Sequence, residues 1–139
     1  MLKKTIKYTD FNGVERTEDF YFNLNKTELM EMAISKDGGL DVVLARLMQK
    51  LEVREIFAII KELILKAYGE KSDDGVVFMK SPDISHKFEC TEAYNVLFME
   101  LVEDSDKALA FINALFPEDV RKKIDELRKQ ENAQNQNPA

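Results

Sequence analysis

Cysteine occurs once and histidine once, and no apolar run approaches the roughly 18 residues needed to cross a bilayer. Cys90 alone rules out an intramolecular disulfide, and with His86 as the single imidazole the chain lacks the inventory for a structural zinc site. The start of the sequence, Met1-Leu2-Lys3-Lys4-Thr5-Ile6-Lys7, has neither an apolar signal core nor a small-residue cleavage site, so the expected location is the cytoplasm, with no membrane partner. A basic stripe is missing too. The formal net charge is −6, and residues 70–106 hold ten acids against three bases, so no segment carries the cationic footprint of nucleic-acid binding.

What the chain has is helix-forming apolar sequence. Its 139 residues are 45% hydrophobic and 33% charged, the composition of one globular domain with a sizeable core. The densest stretch is Val53 to Tyr68, in which Val53, Ile56, Phe57, Ile60, Leu63, Ile64 and Ala67 keep helical spacing while Ile59, Leu65 and Tyr68 widen the arc. An arc that wide needs neighbours on most sides, so this helix is expected to be central, with Gly69 as its left-handed stop. The fold class expected is mainly α with a small N-terminal β-hairpin (α+β), about six helices packing around the helix at 53–68. One domain, 1–129, would hold a hairpin at 1–22 and helices over 25–129, and 130–139 would be a disordered polar tail.

Taken in order, Asp10-Phe11-Asn12-Gly13 has the chemistry of a type I turn closed by a left-handed glycine. A bulged hairpin pairing Asp10 with Val14 then opposes Tyr8 to Arg16, Ile6 to Glu18, Lys4 to Phe20 and Leu2 to Phe22. It gathers Leu2, Ile6, Tyr8, Val14, Phe20 and Phe22 on one face; a two-residue Asn-Gly turn would split that set, so the bulged register is preferred. Asn25 and Glu28 form a capping box for a first helix reaching about Ser35. Lys36-Asp37-Gly38-Gly39 breaks it before a second helix at about 40–50, and Leu51-Glu52 is a short hinge. Residues 70–81 read as a loop with one short extended segment near Val76 to Met79. Ser81 then caps a helix with Pro82 in its first turn, expected over 83–102 with a restart at Thr91 after an irregular turn near Cys90. Ser105 is the preferred cap of the next helix, whose inward residues are Ala108, Phe111, Ile112, Leu115 and Phe116. A last helix, about 118–129, has the thin apolar line Val120, Ile124 and Leu127, as a surface helix or an oligomer contact would.

No reacting constellation emerges, and the expected catalytic, cofactor-binding and metal residues are none. His86 and Cys90, four apart, share a helix face, but the plain reading is a partly exposed imidazole beside a buried thiol. Asp73-Asp74-Gly75 lacks the alternate acids of a calcium loop and reads as a turn. Tyr68-Gly69-Glu70-Lys71-Ser72 ends like a phosphate loop, yet Glu70 stands where a glycine is required. Glu100, Glu103, Asp104 and Asp106 fit a solvated helix end better than a pair of catalytic carboxylates.

The run Leu65-Lys66-Ala67-Tyr68-Gly69-Glu70-Lys71-Ser72-Asp73-Asp74-Gly75-Val76-Val77-Phe78-Met79-Lys80-Ser81 carries a resemblance. So do Phe88, Thr91, Ala93-Tyr94 and Leu97-Phe98-Met99-Glu100-Leu101, together with Phe22 to Leu29 and Asp106 to Ile112. Over nearly its whole length the chain resembles the tail assembly chaperones of long-tailed phages and prophages of Gram-positive bacteria. The resemblance implies a protein that is not an enzyme and needs no cofactor. Its partners would be the tape measure protein and, through a frameshifted longer form, the tail tube protein. It also implies a homo-oligomer, spiral in some members, working in the cytoplasm of the bacterial host and absent from the mature virion.

The physics of that role is adaptable apolar surface, for which Met30, Met32, Met48, Met79 and Met99 are candidates, and an acidic band at 70–106 that would steer basic client segments. Two other functional classes fit the sequence less well. A small phage enzyme has no converging chemistry. A small DNA-binding regulator of phage or prophage origin finds a faint helix-turn-helix outline at Gly38-Gly39, but its recognition helix would offer only Arg46 and Lys50, with Asp41 against them. For self-association the hairpin, with unpaired strand edges, is expected to matter more than the last helix.

Overall fold

The computed structural model describes residues 1–35, 53–122 and 126. The second helix expected at 40–50, most of the last helix and the polar tail lie outside the described residues, as do the side chains of Met30, Met32 and Met48. The architecture is mixed α+β. In chain order the elements are β1 (Leu2–Thr9), β2 (Glu15–Phe22), α1 (Lys26–Ser35), α2 (Val53–Ala67), β3 (Tyr68–Lys71), β4 (Phe78–Met79), α3 (Pro82–Glu89), α4 (Glu92–Glu103) and α5 (Ser105–Leu115). Residues 118–122 are also helical. The four strands form one antiparallel sheet in the order β1-β2-β3-β4.

The hairpin takes the bulged register. Leu2 faces Phe22, Lys4 Phe20, Ile6 Glu18 and Tyr8 Arg16. The turn is held by Gly13 N–H donating to Asp10 O at 3.0 Å and Asp10 N–H donating to Val14 O at 2.9 Å, with Gly13 at φ 81°. That left-handed backbone is one a side chain resists, so glycine ends the turn. Period-two burial follows along β1. Ile6 is buried, and Lys3, Thr5, Lys7 and Thr9 are exposed.

Two compact units divide the chain, one of Met1–Asn23 with Glu52–Leu115 and one of Leu24–Leu51 with Phe116–Ala139. In the first, α2 meets α3, α4 and α5, and α4 runs along β1. The central node is aromatic. Phe22, with no exposure, meets Tyr68, Phe88 and Phe111 at ring-centroid distances of 5.8, 5.8 and 5.3 Å. Phe88 lies stacked on Tyr68 at 4.1 Å and also touches Phe20 and Tyr94. Burial among these rings pushes the Tyr68 phenol up from its ordinary pKa. In α2, Ile60, Leu63, Ile64 and Ala67 are buried, whereas Ile56 and Phe57, a turn earlier, are 37% and 41% exposed.

In the second unit Asn25 and Glu28 close the expected capping box. Glu28 N–H donates to Asn25 Oδ1 at 2.8 Å, and Asn25 N–H to Glu28 Oε1 at 3.2 Å. Leu24, Leu29, Phe116 and Val120 are buried, and Lys26 is paired with Asp119. The ammonium of Lys26 holds the Asp119 carboxyl below its ordinary pKa.

Two local expectations are corrected. Gly69 is not a left-handed stop. Helix α2 ends at Ala67, and Tyr68 and Gly69 enter β3, where they pair with Phe22 and Tyr21. Positive φ is confined to Gly13 and Gly75 among the described glycines. The restart anticipated at Thr91 is present and divides 83–102 into two helices. Ser81 Oγ accepts from Ile84 N–H and Pro82 opens α3 as expected, while Thr91 Oγ1 accepts from Tyr94 N–H and starts α4 anew. The cap of α5 is Asp104, not Ser105. Its Oδ1 accepts from the N–H groups of Asp106 and Lys107 at 3.0 and 3.3 Å, because a carboxylate one residue earlier reaches both orphan donors.

Candidate functional site

The residues weighed for chemistry are scattered by the fold into structural roles. His86 Nε2 and Cys90 Sγ stand 3.7 Å apart at the end of α3, and His86 Nδ1 is 4.0 Å from Glu89 Oε2. Contrary to the expectation of a buried thiol, Cys90, which caps the C-terminal end of α3, is exposed. The His86 side chain is 75% exposed. Water reaches every member of this row, so nothing there concentrates charge or excludes solvent around a substrate.

Asp74 belongs to a tight turn. Ser72 Oγ donates to its Oδ1 at 2.7 Å, Val76 N–H donates to the same oxygen at 3.0 Å, and Gly75 sits at φ 76°. The Ser72 hydroxyl, aided by the Val76 amide, holds the Asp74 carboxyl below its usual pKa. Both lone pairs used in this way point into the turn. Glu100 is not a free acid either. It accepts from Lys4 at 3.1 Å and lies 3.8 Å from Lys107, so it ties α4 to β1 and to the start of α5. Its partner Lys4 is 96 residues away in sequence and reaches it because the hairpin lies along α4. Among the described residues, no group of three or more His, Cys, Asp or Glu side chains is arranged to hold a metal ion.

What the surface offers instead is apolar area on ordered elements. One set lies on helices. Phe57 of α2 meets Phe98 of α4 edge to face at 5.6 Å, and Phe98 stacks on Tyr94 at 5.9 Å. Ile56 and Phe57 on α2, and Val96 and Met99 on α4, remain between 37% and 48% exposed. A second set flanks the turn between β3 and β4, where Val76, Val77 and Met79 are 80%, 48% and 54% exposed. Large apolar groups held by regular backbone lose little further entropy when covered, and each that is fully withdrawn from water stabilises a complex by about 1.5–3 kcal/mol. Of the methionines proposed for adaptable contact, Met79 and Met99 are on the surface. Phe57, read as core from its spacing, is part of that surface, because the apolar arc of α2 is covered only over its second half.

The strand edges are the other open feature. β1 ends the sheet, and β2 meets β3 only at Tyr21 and Phe22. No helix among the described residues is long and apolar enough to cross a membrane.

Comparison with protein families gives one finding. The family described as phage tail assembly chaperone matches residues 1–139. Comparison with curated proteins and with solved structures found no match.

Proposed function

Because the chain belongs to the phage tail assembly chaperone family, we propose that it is a non-enzymatic assembly factor that binds the tape measure protein before the tail tube polymerises around it. A longer, frameshifted form would recruit tail tube subunits. It would act in the host cytoplasm as a homo-oligomer, with neither nucleic acid nor membrane as a partner, and would leave before the virion is complete.

The observation that carries this reading is the pairing of a family match along the whole chain with exposed apolar side chains on regular elements, Phe57 and Met99 foremost. A long client with repeated apolar stripes is held best by many weak contacts, each reversible, and an array of copies multiplies them through effective concentration. Met99 and Met79 suit such a client, since an unbranched thioether repacks against different side chains at little cost. The acidic band at 70–106 adds steering of basic client segments.

The test is co-expression with the tape measure protein from the same phage or prophage genome. The client should be soluble and elute with the chaperone, and alone it should aggregate. A tape measure protein that stays soluble unaided, or that elutes separately, overturns the reading.

A further inference from the structure

The phase of the β1–β2 ladder decides which backbone groups of β1 are left over. Asp10 donates to Val14, and antiparallel pairs alternate, so Tyr8, Ile6, Lys4 and Leu2 exchange hydrogen bonds with β2. Lys3, Thr5, Lys7 and Thr9 therefore turn their N–H and C=O groups away from β2, along the sheet's end. No hydrogen bond among the described residues closes that edge. An eight-residue edge without a bulge is an adhesive surface, and lysines are the usual guard against indiscriminate pairing.

Those lysines select among registers when β1 meets another β1 antiparallel. Centred on Thr5, the pairing puts Lys3 against the partner's Lys7 twice. Centred on Lys7, it opposes the two Lys7 ammoniums. Centred on Lys4, it opposes the two Lys4 side chains. Like charges directly opposite each other destabilise a pair. Centred on Ile6, the outward groups match as Lys3 with the partner's Thr9 and Thr5 with the partner's Lys7, each pair repeated by the two-fold. The other face then sets Ile6 against the partner's Ile6 and Lys4 against the partner's Tyr8. This register has no direct like-charge opposition and forms about eight backbone hydrogen bonds. Val96, one helical turn before Glu100 on α4, is 40% exposed, and Glu100 is the residue that holds Lys4 of β1.

We infer that β1 joins β1 of a second copy of this chain, antiparallel and centred on Ile6, making one continuous eight-stranded sheet from two four-stranded ones. The contact is isologous and closes on itself, so larger assemblies need a further surface. The inference rests on the self-association proposed above and specifies where it occurs.

Two variants and one mixing experiment test it. Thr5→Pro removes an outward N–H and leaves the β1–β2 ladder bonded, a position where an edge strand tolerates proline. It should weaken association at least tenfold by sedimentation while keeping the parent's circular dichroism spectrum. In a Cys90→Ser background, T5C mixed with K7C should give an intermolecular disulfide under mild oxidation, and T5C alone much less, since Thr5 faces the partner's Lys7 in this register. Oligomers that survive T5P, with no T5C–K7C adduct, overturn the β1 contact and leave self-association standing through another face. A parent chain that is monomeric at all concentrations overturns both.

Discussion

Gly69 lies against the ring of Phe78 so closely that a Cβ on it would sit 2.7 Å from Phe78 Cε2 and 2.8 Å from the carbonyl oxygen of Met79. The glycine is there for clearance, since its φ is not in the left-handed region. One of the two clashing groups is backbone of β4, which moves only if the β3–β4 pairing moves with it. Gly69→Ala should therefore destabilise the fold by about 1–3 kcal/mol, the cost of overpacking a closed site. Thermal or urea unfolding measures this directly. A variant as stable as the parent would mean that the strand pair yields freely.

The hairpin turn carries a pH dependence. Asp10 accepts from Arg16 Nε at 2.6 Å and from the Asn12 and Val14 amides at 2.9 and 3.0 Å. The Arg16 guanidinium, then the Val14 amide, holds the Asp10 carboxyl below its ordinary pKa. A depressed folded pKa means that the stabilisation is complete above the unfolded carboxylate value of about 3.9 and is lost as pH falls through the folded value. The hairpin should thus loosen at the acid end, between about pH 4 and the lower folded pKa. Asp10→Asn should flatten that part of the profile and leave the neutral-to-alkaline part parallel to the parent's. Amide exchange at Val14 and Asn12 is the measurement, and a profile unchanged by the substitution would remove Asp10 from the account.

Phe22 is a heavier anchor. It is fully buried and touches three rings from β3, α3 and α5, so it fastens the end of the hairpin to the helices. Phe22→Ala should cost about 3–5 kcal/mol, a large part of the roughly 5–15 kcal/mol that holds a domain of this size. Val14→Ala, at the exposed end of the same apolar face, should change stability by less than about 0.5 kcal/mol. Equal effects at the two positions would contradict the difference in burial between Val14 and Phe22.

The local features legible in sequence were those with a local cause. The hairpin register follows from Asp10, Gly13 and the parity of Ile6 and Phe22; the caps at Asn25, Ser81 and Thr91 follow from side chains that reach their own helix. Strand β3 was hidden because Tyr68-Gly69-Glu70-Lys71 has no alternation, and its partners Phe22 and Tyr21 lie 46 and 48 residues away. Phe88 gave no signal as a core residue, standing in the polar run Ser85-His86-Lys87-Phe88-Glu89-Cys90, though it meets four aromatic rings. The candidate surface was legible only as a list of methionines. Periodicity placed Phe57 in the core because a spacing rule cannot tell which half of a helix its neighbours cover.

That surface yields the last expected outcome. Phe57 is 41% exposed and Met99 48%, so polar replacements there remove area offered to a partner more than area the fold relies on. Phe57 does keep one edge on Phe98, which sets a cost of about 0.5–1.5 kcal/mol for losing that ring contact. Met99→Ser should cost less. If these side chains are what the client touches, the double substitution F57S and M99S should weaken tape measure binding roughly tenfold or more, since each buried apolar side chain contributes over 1 kcal/mol and tenfold is 1.4 kcal/mol. Val76→Ser at the tip of the β3–β4 turn, 80% exposed, is the matched control for loss of apolar area elsewhere. Binding measured by titration calorimetry at a temperature where all variants are folded separates the cases. Loss of binding in F57S/M99S alone places the client on α2 and α4, equal loss in V76S spreads it over both apolar sets, and full binding by the double variant removes this face from the client contact.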